Sequence, residues 1–288
     1  MEQIAISGSG LSARIKADGA ELCSLQDESG REFVWQALPA WPRHAPVLFP
    51  IVGRLAGDTL RQGGASFKLT QHGFARDRRF TLALKAADHC TWVLEDDADT
   101  RARYPFPFRF EVSYTITGRE LHIGFDVDNP GEAPLPASMG AHPAFSWPLP
   151  GAASKAGHVL TFEHPEPAPT RRVAGGLLQP QTEPSPLEGR VLRLDDRLFA
   201  RDAVIFTQLA SRWVRMEAQG AAGLEVGWDG FAQLGLWMKP GAEFLCIEPW
   251  RGYASPEGWD GDFAGKPGVF HVPPGGRISA THRVRLLP

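Results

Sequence analysis

ELHIGFDVDN, residues 120–129, alternates strictly: Leu121, Ile123, Phe125 and Val127 point one way, His122, Gly124, Asp126 and Asp128 the other. Side chains of an extended chain project to opposite faces in turn, so this stretch is a strand with one buried and one wet face. A strand with a wet face belongs to an antiparallel sheet. Residues 108–117 carry the same texture, and Gly118 with Arg119 between the two runs predicts a hairpin. Working outward, short strands are predicted at 11–15, 20–26, 80–86, 90–94, 204–206, 214–218, 224–228, 234–238, 244–248 and 278–286. So many short strands at close spacing predict an all-β sandwich or barrel. No long stretch follows the helical period. One helical turn is predicted at 99–104, capped by Asp99 or Thr100 and stopped by Pro105. Residues 147–186 are rich in Pro, Gly, Ala and Thr. They read as a long excursion within one domain, residues 1–288, because the chemically loaded motifs lie on both sides of them.

Composition narrows the function classes. The apolar share is 43% and the charged share 22%, ordinary for a globular chain. A formal net charge of -3 gives no electrostatic footprint for nucleic acid, and basic residues occur only in pairs such as Arg78 and Arg79. Three cysteines, Cys23, Cys90 and Cys246, are odd in number and widely spaced, which argues against a disulfide framework or a thiolate metal site. The start, MEQIAISGSG, has no basic segment followed by an apolar one, and no apolar run is long enough to span a bilayer. A cytoplasmic protein without membrane partners is expected. The oligomeric state is not legible.

Four strings concentrate the chemistry: PVLFPIVGRL (46–55), QHGFARD (71–77), MGAHPAF (139–145) and FLCIEPWRGYA (244–254). Each sets an ionisable group among Gly, Pro and aromatic residues. In FLCIE, alternation puts Phe244, Cys246 and Glu248 on one face, so the carboxylate has apolar neighbours and must be paired, hydrogen-bonded or raised in pKa. His142 precedes Pro143, which favours extended backbone. His72 precedes Gly73 in a predicted turn. Neither histidine has another His or a carboxylate at metal-ligand spacing, so no metal is expected. Arg54 emerges from an apolar run and needs a carboxylate or an oxygen-rich ligand. Arg76 either binds a substrate oxygen or closes its own loop. Lys239, in LWMKPG, reads as a strand-end lysine with a lesser claim on substrate. Of nine tryptophans, Trp250 flanks Glu248 directly. Phe145 follows His142 closely. These two aromatics are the expected walls for the apolar face of a polyhydroxylated ring.

The four strings, in this order, resemble those of the aldose 1-epimerase (mutarotase) family, most closely the bacterial branch reading LFPIVGR, HGFAR, GAHPAF and CIEPW. The resemblance implies a galactose mutarotase-like β-supersandwich of two large antiparallel sheets with few short helices. It implies interconversion of the α and β anomers of a hexose, with no metal or organic cofactor. It maps the family's base onto Glu248, its acid onto His142, and sugar-binding roles onto His72 and Arg54. An aspartate that fixes sugar hydroxyls in the galactose-specific branch has two counterparts here, Asp196 and Asp202, and the choice stays open. A branch acting on hexose 6-phosphates is kept open by Arg76. The partner is therefore a small-molecule sugar or sugar phosphate. Two other readings compete: a non-catalytic carbohydrate-binding sandwich, which needs no apposed Glu and His, and a glycosidase-type domain, which needs paired carboxylates about 5–10 Å apart.

Overall fold

The hairpin forms as its alternation predicts. In the computed structural model, which describes residues 2–287, strands Arg109–Thr117 and Glu120–Asp128 pair antiparallel with Thr117 opposite Glu120. Their even and odd positions are buried and half-buried in turn along nearly the whole length. The hairpin lies inside a nine-stranded sheet, flanked by Arg277–Leu286 on one side and His89–Glu95 on the other. Its dry face carries Phe110 and Phe125, both fully buried. Phe110 stacks on Phe49, ring centroids 4.6 Å apart, at the end of a strand of the second large sheet. That contact places the main core between the two sheets, as the supersandwich requires.

The second large sheet has eight strands. Its middle holds Gln233–Trp237 beside Phe244–Arg251, and the latter pairs on its far side with two short strands in succession, Met139–Ala141 and Ala144–Ser146. Strand Phe244–Arg251 is buried on both faces. It continues through Pro249 to Arg251 and does not stop at Glu248, as the sequence suggested. The reason lies across the ladder. The flanking strand is broken between Ala141 and Ala144, so Pro143 and Pro249 face a gap in which a missing N–H costs no sheet hydrogen bond.

Residues 147–186 supply strands to both sheets: Val159–Phe162 to the nine-stranded one, Thr170–Ala174 and Leu177–Glu183 to the other. The predicted helical turn is shorter and begins earlier, at Ala98–Arg101. Its cap is Asp97, not Asp99 or Thr100. Asp97 Oδ1 accepts from Thr100 N–H while Thr100 Oγ1 accepts from Asp97 N–H, each at 2.8 Å, a reciprocal capping box. All three cysteines are free and buried. Among the described residues no helix is long and apolar enough to cross a membrane.

Candidate active site

Register brings the two ionisable residues together. Gly140 pairs with Trp250 and Ala144 with Cys246. The same register carried across the gap sets His142 directly opposite Glu248, with both side chains on one face. His142 Nε2 and Glu248 Oε2 approach to 3.2 Å. The pair is not aligned for a hydrogen bond, and Glu248 Oε2 has no hydrogen-bond partner. Cys246 stands two residues back on the same face. Its sulfur, a His142 nitrogen and a Glu248 oxygen all lie within 4.8 Å of one another. The sequence argument that His142 has no ligand-spaced neighbour therefore fails in space, because the neighbours come from another strand.

Two loops complete the front of the site by clasping each other. His72 N–H donates to Gly53 O at 2.8 Å, and Gly53 N–H donates to His72 Nδ1 at 3.2 Å. With Nδ1 accepting, the proton of the neutral ring sits on Nε2, which stands 3.2 Å from the Gln71 side-chain amide. His72 holds a left-handed backbone, φ 67°, in the turn before Gly73. Arg76 reaches back to donate to Gln71 O at 2.7 Å; its buried Nε makes no hydrogen bond and has only the Asp77 carboxylate at 3.6 Å as an ion-pair partner. Arg54 Nε and Nη2 grip both oxygens of Asp58 at 2.6 and 2.9 Å, so the carboxylate partner weighed for it exists. Its Nη1 also contacts the carbonyl of Gly175, at the tip of the hairpin built by Thr170–Ala174 and Leu177–Glu183. Behind these loops, buried Glu21 accepts from the N–H groups of His44 and Ala45 at 2.7 and 2.9 Å. His142 N–H in turn donates to Pro46 O, so the His142 segment is seated on that anchored stretch.

These groups line one cavity of about 390 Å³. Arg54, His72, Arg76, His142, Glu248 and Trp250 all reach it. Two expected residues do not. Phe145 is fully buried, opposite Leu245, on the face turned away from Glu248. It stands an odd number of residues from His142, and in extended backbone an odd offset changes face. Lys239 is exposed, just past strand Gln233–Trp237, and does not line the cavity. Between the two aspartates, Asp202 lines the cavity and Asp196 does not; Asp196 is paired with Lys155.

The aromatic walls are Trp41, Trp237 and Trp250. Trp41 stacks on the His142 ring, centroids 5.2 Å apart at 26°, and Trp237 meets it edge-on at 5.7 Å. Trp237 pairs with Cys246 and so shares the face of Glu248, a placement set by the cross-strand register. Trp41 sits in a loop where periodicity carries no signal. Trp250 lies over two glycines on the flanking strands. A Cβ at Gly235 would meet its ring at 2.4 Å, and one at Gly140 at 2.6 Å.

Burial sets the protonation of the pair. Glu248 is raised well above the usual carboxylate range by burial, helped by the negative charge of Asp202. The Trp250 indole N–H faces the carboxyl and opposes that shift, without reaching hydrogen-bond geometry. His142 is lowered to about 3 by burial and by the positive charges of Arg76 and Arg43. His72 is likewise held neutral by burial, then by His142 and Arg76. Burial thus favours the uncharged form of each group. Such a pair can take a proton at one atom while giving one at another.

The two-sheet sandwich and the cavity on its eight-stranded sheet can be set beside known proteins. The Aldose 1-epimerase family matches residues 2–257. Protein LacX, chromosomal, of Lactococcus lactis subsp. lactis is 34% identical over 257 residues, 85% of this chain and 86% of that one. The crystal structure of a galactose mutarotase related enzyme from Lactobacillus acidophilus superposes with a TM-score of 0.92 at 29% identity, covering 100% of this chain and 98% of that one. A galactose mutarotase-like protein from Lactobacillus casei gives 0.93 at 28%, covering 99% and 100%. The chain belongs to the aldose 1-epimerase family and is an isomerase of the mutarotase type.

Proposed function

We propose that the protein interconverts the α and β anomers of a hexose, with Glu248 and His142 sharing the proton transfers. In the ion-pair form of the couple, the Glu248 carboxylate takes the O1 proton while the His142 imidazolium protonates the ring oxygen. The C1–O5 bond breaks and C1 becomes a carbonyl. Rotation about C1–C2 presents the other face. On closure His142 takes the proton back from O5 and Glu248 returns its own to O1, so both groups end as they began. Burial favours the neutral form of the pair, and the carboxylate needs donors when it ionises. Trp250 N–H is placed to supply one. Arg54, Arg76, His72 Nε2–H and Asp202 hold ring hydroxyls, and the tryptophans cover the apolar face of the sugar.

One observation carries this reading. Four buried polar atoms without hydrogen-bond partners, Arg76 Nε, His142 Nδ1, Glu248 Oε2 and Trp250 Nε1, belong to residues lining a single cavity. Buried polar groups are seldom left unpaired, and where they gather around one cavity a polar ligand is the economical explanation. The test is polarimetry of freshly dissolved α-glucose and α-galactose with Glu248→Gln. Loss of about 10²–10⁴-fold is expected, the worth of one positioned proton-transfer group. An unchanged rate in a folded variant rejects the assignment. A hexose 6-phosphate is the second reading, favoured by the cavity-lining Arg76 guanidinium, whose Nε makes no hydrogen bond. Under it, Arg76→Ala lowers the rate on the phosphorylated sugar far more than on the free one.

A further inference from the structure

We propose that His142, Cys246 and Glu248 form a three-ligand Zn²⁺ site, whose occupation removes both proton-transfer groups from service. The donor set is one imidazole, one thiol and one carboxyl, each from a buried residue, gathered on adjacent strands of one sheet. Nitrogen and sulfur donors select zinc over magnesium or calcium, which prefer oxygen alone. Zinc bonds to nitrogen and oxygen at about 2.0–2.2 Å in tetrahedral geometry, so two such ligands stand about 3.3 Å apart. The His142 Nε2 to Glu248 Oε2 separation is 3.2 Å. The same separation serves the proton-transfer couple, and Oε2, whose residue is 1% exposed, has no hydrogen-bond partner that a metal would have to displace. The Cys246 sulfur lies within 4.8 Å of both atoms and needs to close by about 1 Å. Three protein ligands leave a fourth position for water, as in zinc sites that keep one, and two of the three, His142 and Glu248, line the cavity.

The charges around the site work in both directions. Arg76 and Arg43 act on His142 and oppose a cation; Asp202 acts on Glu248 and favours one. Two of the ligands also become anionic on binding. The carboxyl and the thiol each lose a proton to solvent as the metal–oxygen and metal–sulfur bonds form, so two charges are added to balance Zn²⁺. No oxidant or reductant takes part.

The metal alone serves as the probe, with a readout independent of catalysis. Chelator-treated enzyme is titrated with Zn²⁺ in a calorimeter and with Co²⁺ in a spectrophotometer. One metal per chain and a thiolate-to-cobalt charge-transfer band are expected. Cys246→Ser and Cys246→Ala abolish the band and weaken zinc by at least roughly 10-fold, the least that losing even an outer-shell partner costs. Measured against each variant's own zinc-free rate, mutarotation of the cysteine variants resists zinc at concentrations that silence the wild type until chelator is added. Cobalt binding without the band, or equal zinc affinity in the cysteine variants, overturns the site. Zinc bound with the band while mutarotation runs at full rate leaves the site standing and removes the acid–base reading instead, so the two failures are distinguishable.

Discussion

The hairpin Arg109–Thr117 with Glu120–Asp128 and the strand Phe244–Arg251 are both β, and they are built on opposite rules. The hairpin alternates dry and half-wet positions, so its sequence displays its geometry. Its polar face is tied by exchangeable ion pairs such as Arg109 with Asp128 and Glu111. Pairs of this kind contribute about 0–1 kcal/mol each. The strand Phe244–Arg251 is buried throughout, yet carries a carboxyl, a thiol and a proline. Its neighbours, not its own pattern, decide which groups meet. The first region is made for stability and tolerates change on its wet face. The second holds unpaired polar atoms in a dry place, a standing cost that folding does not explain.

The sharpest way to break that contrast is His142→Asn. It should cost about 10²–10⁴ in mutarotation rate, as expected for one proton-transfer group, while the melting temperature stays close to wild type. Polarimetry alongside thermal unfolding reads both quantities. A stability loss matching the activity loss makes His142 a core residue like those of the hairpin, and erases the contrast. The mirror experiment is Phe125→Ala. Phe125 is 1% exposed and packs against Phe110 and Phe231. Truncation of a buried Phe costs about 3–5 kcal/mol. Denaturant unfolding should show that loss, with the rate per folded molecule unchanged.

How much of this was written in the sequence follows the same division. The hairpin was legible almost to the residue because one of its faces is wet. Strands 204–206 and 224–228 were legible from short apolar runs between turns, the second running one residue further in the structure. The site was legible as a set of strings and illegible as an arrangement. That His142 faces Glu248 depends on a cross-strand register that no local pattern encodes. Asp202 could not be told from Asp196, because both lie in polar, turn-forming stretches. What separates them is where the chain places Asp202, with its left-handed φ of 66°, against the cavity. Phe145 is different: its odd offset from His142 was available, and the motif's compactness hid it.

Gly235→Ala sharpens the comparison at an intermediate scale. Its added methyl would overlap the Trp250 ring. Overpacking of this sort costs about 1–3 kcal/mol. The substitution should also move the indole off the Glu248 carboxyl, so the rate falls while Trp fluorescence reports the shift. Its counterpart Gly124 lies on the wet side of the hairpin, where a methyl would press only on the Ser113 hydroxyl. Gly124→Ala should therefore leave catalysis untouched. Equal catalytic effects at the two positions would mean that Trp250 has no part in the site.

The smallest expected effect concerns a buried charge that neither region uses. Lys266 is 3% exposed, and its ammonium donates to Tyr253 O at 2.5 Å and Pro267 O at 3.0 Å. Burial lowers it to about 7, against an ordinary value of 10.5. Between those values the unfolded chain holds a proton that the folded one has released, so stability rises with pH across that window. Below pH 7 both states are protonated and the slope vanishes. The gain from pH 7 to pH 8 is about 1 kcal/mol, since a full unit of difference in proton binding is worth about 1.4. Urea unfolding at a series of pH values measures it, and Lys266→Met removes this contribution. A slope that survives in the variant assigns the titration elsewhere. A wild type without any slope means that the two carbonyls keep the ammonium charged, and that this buried cation, unlike Glu248, is fully satisfied by the fold.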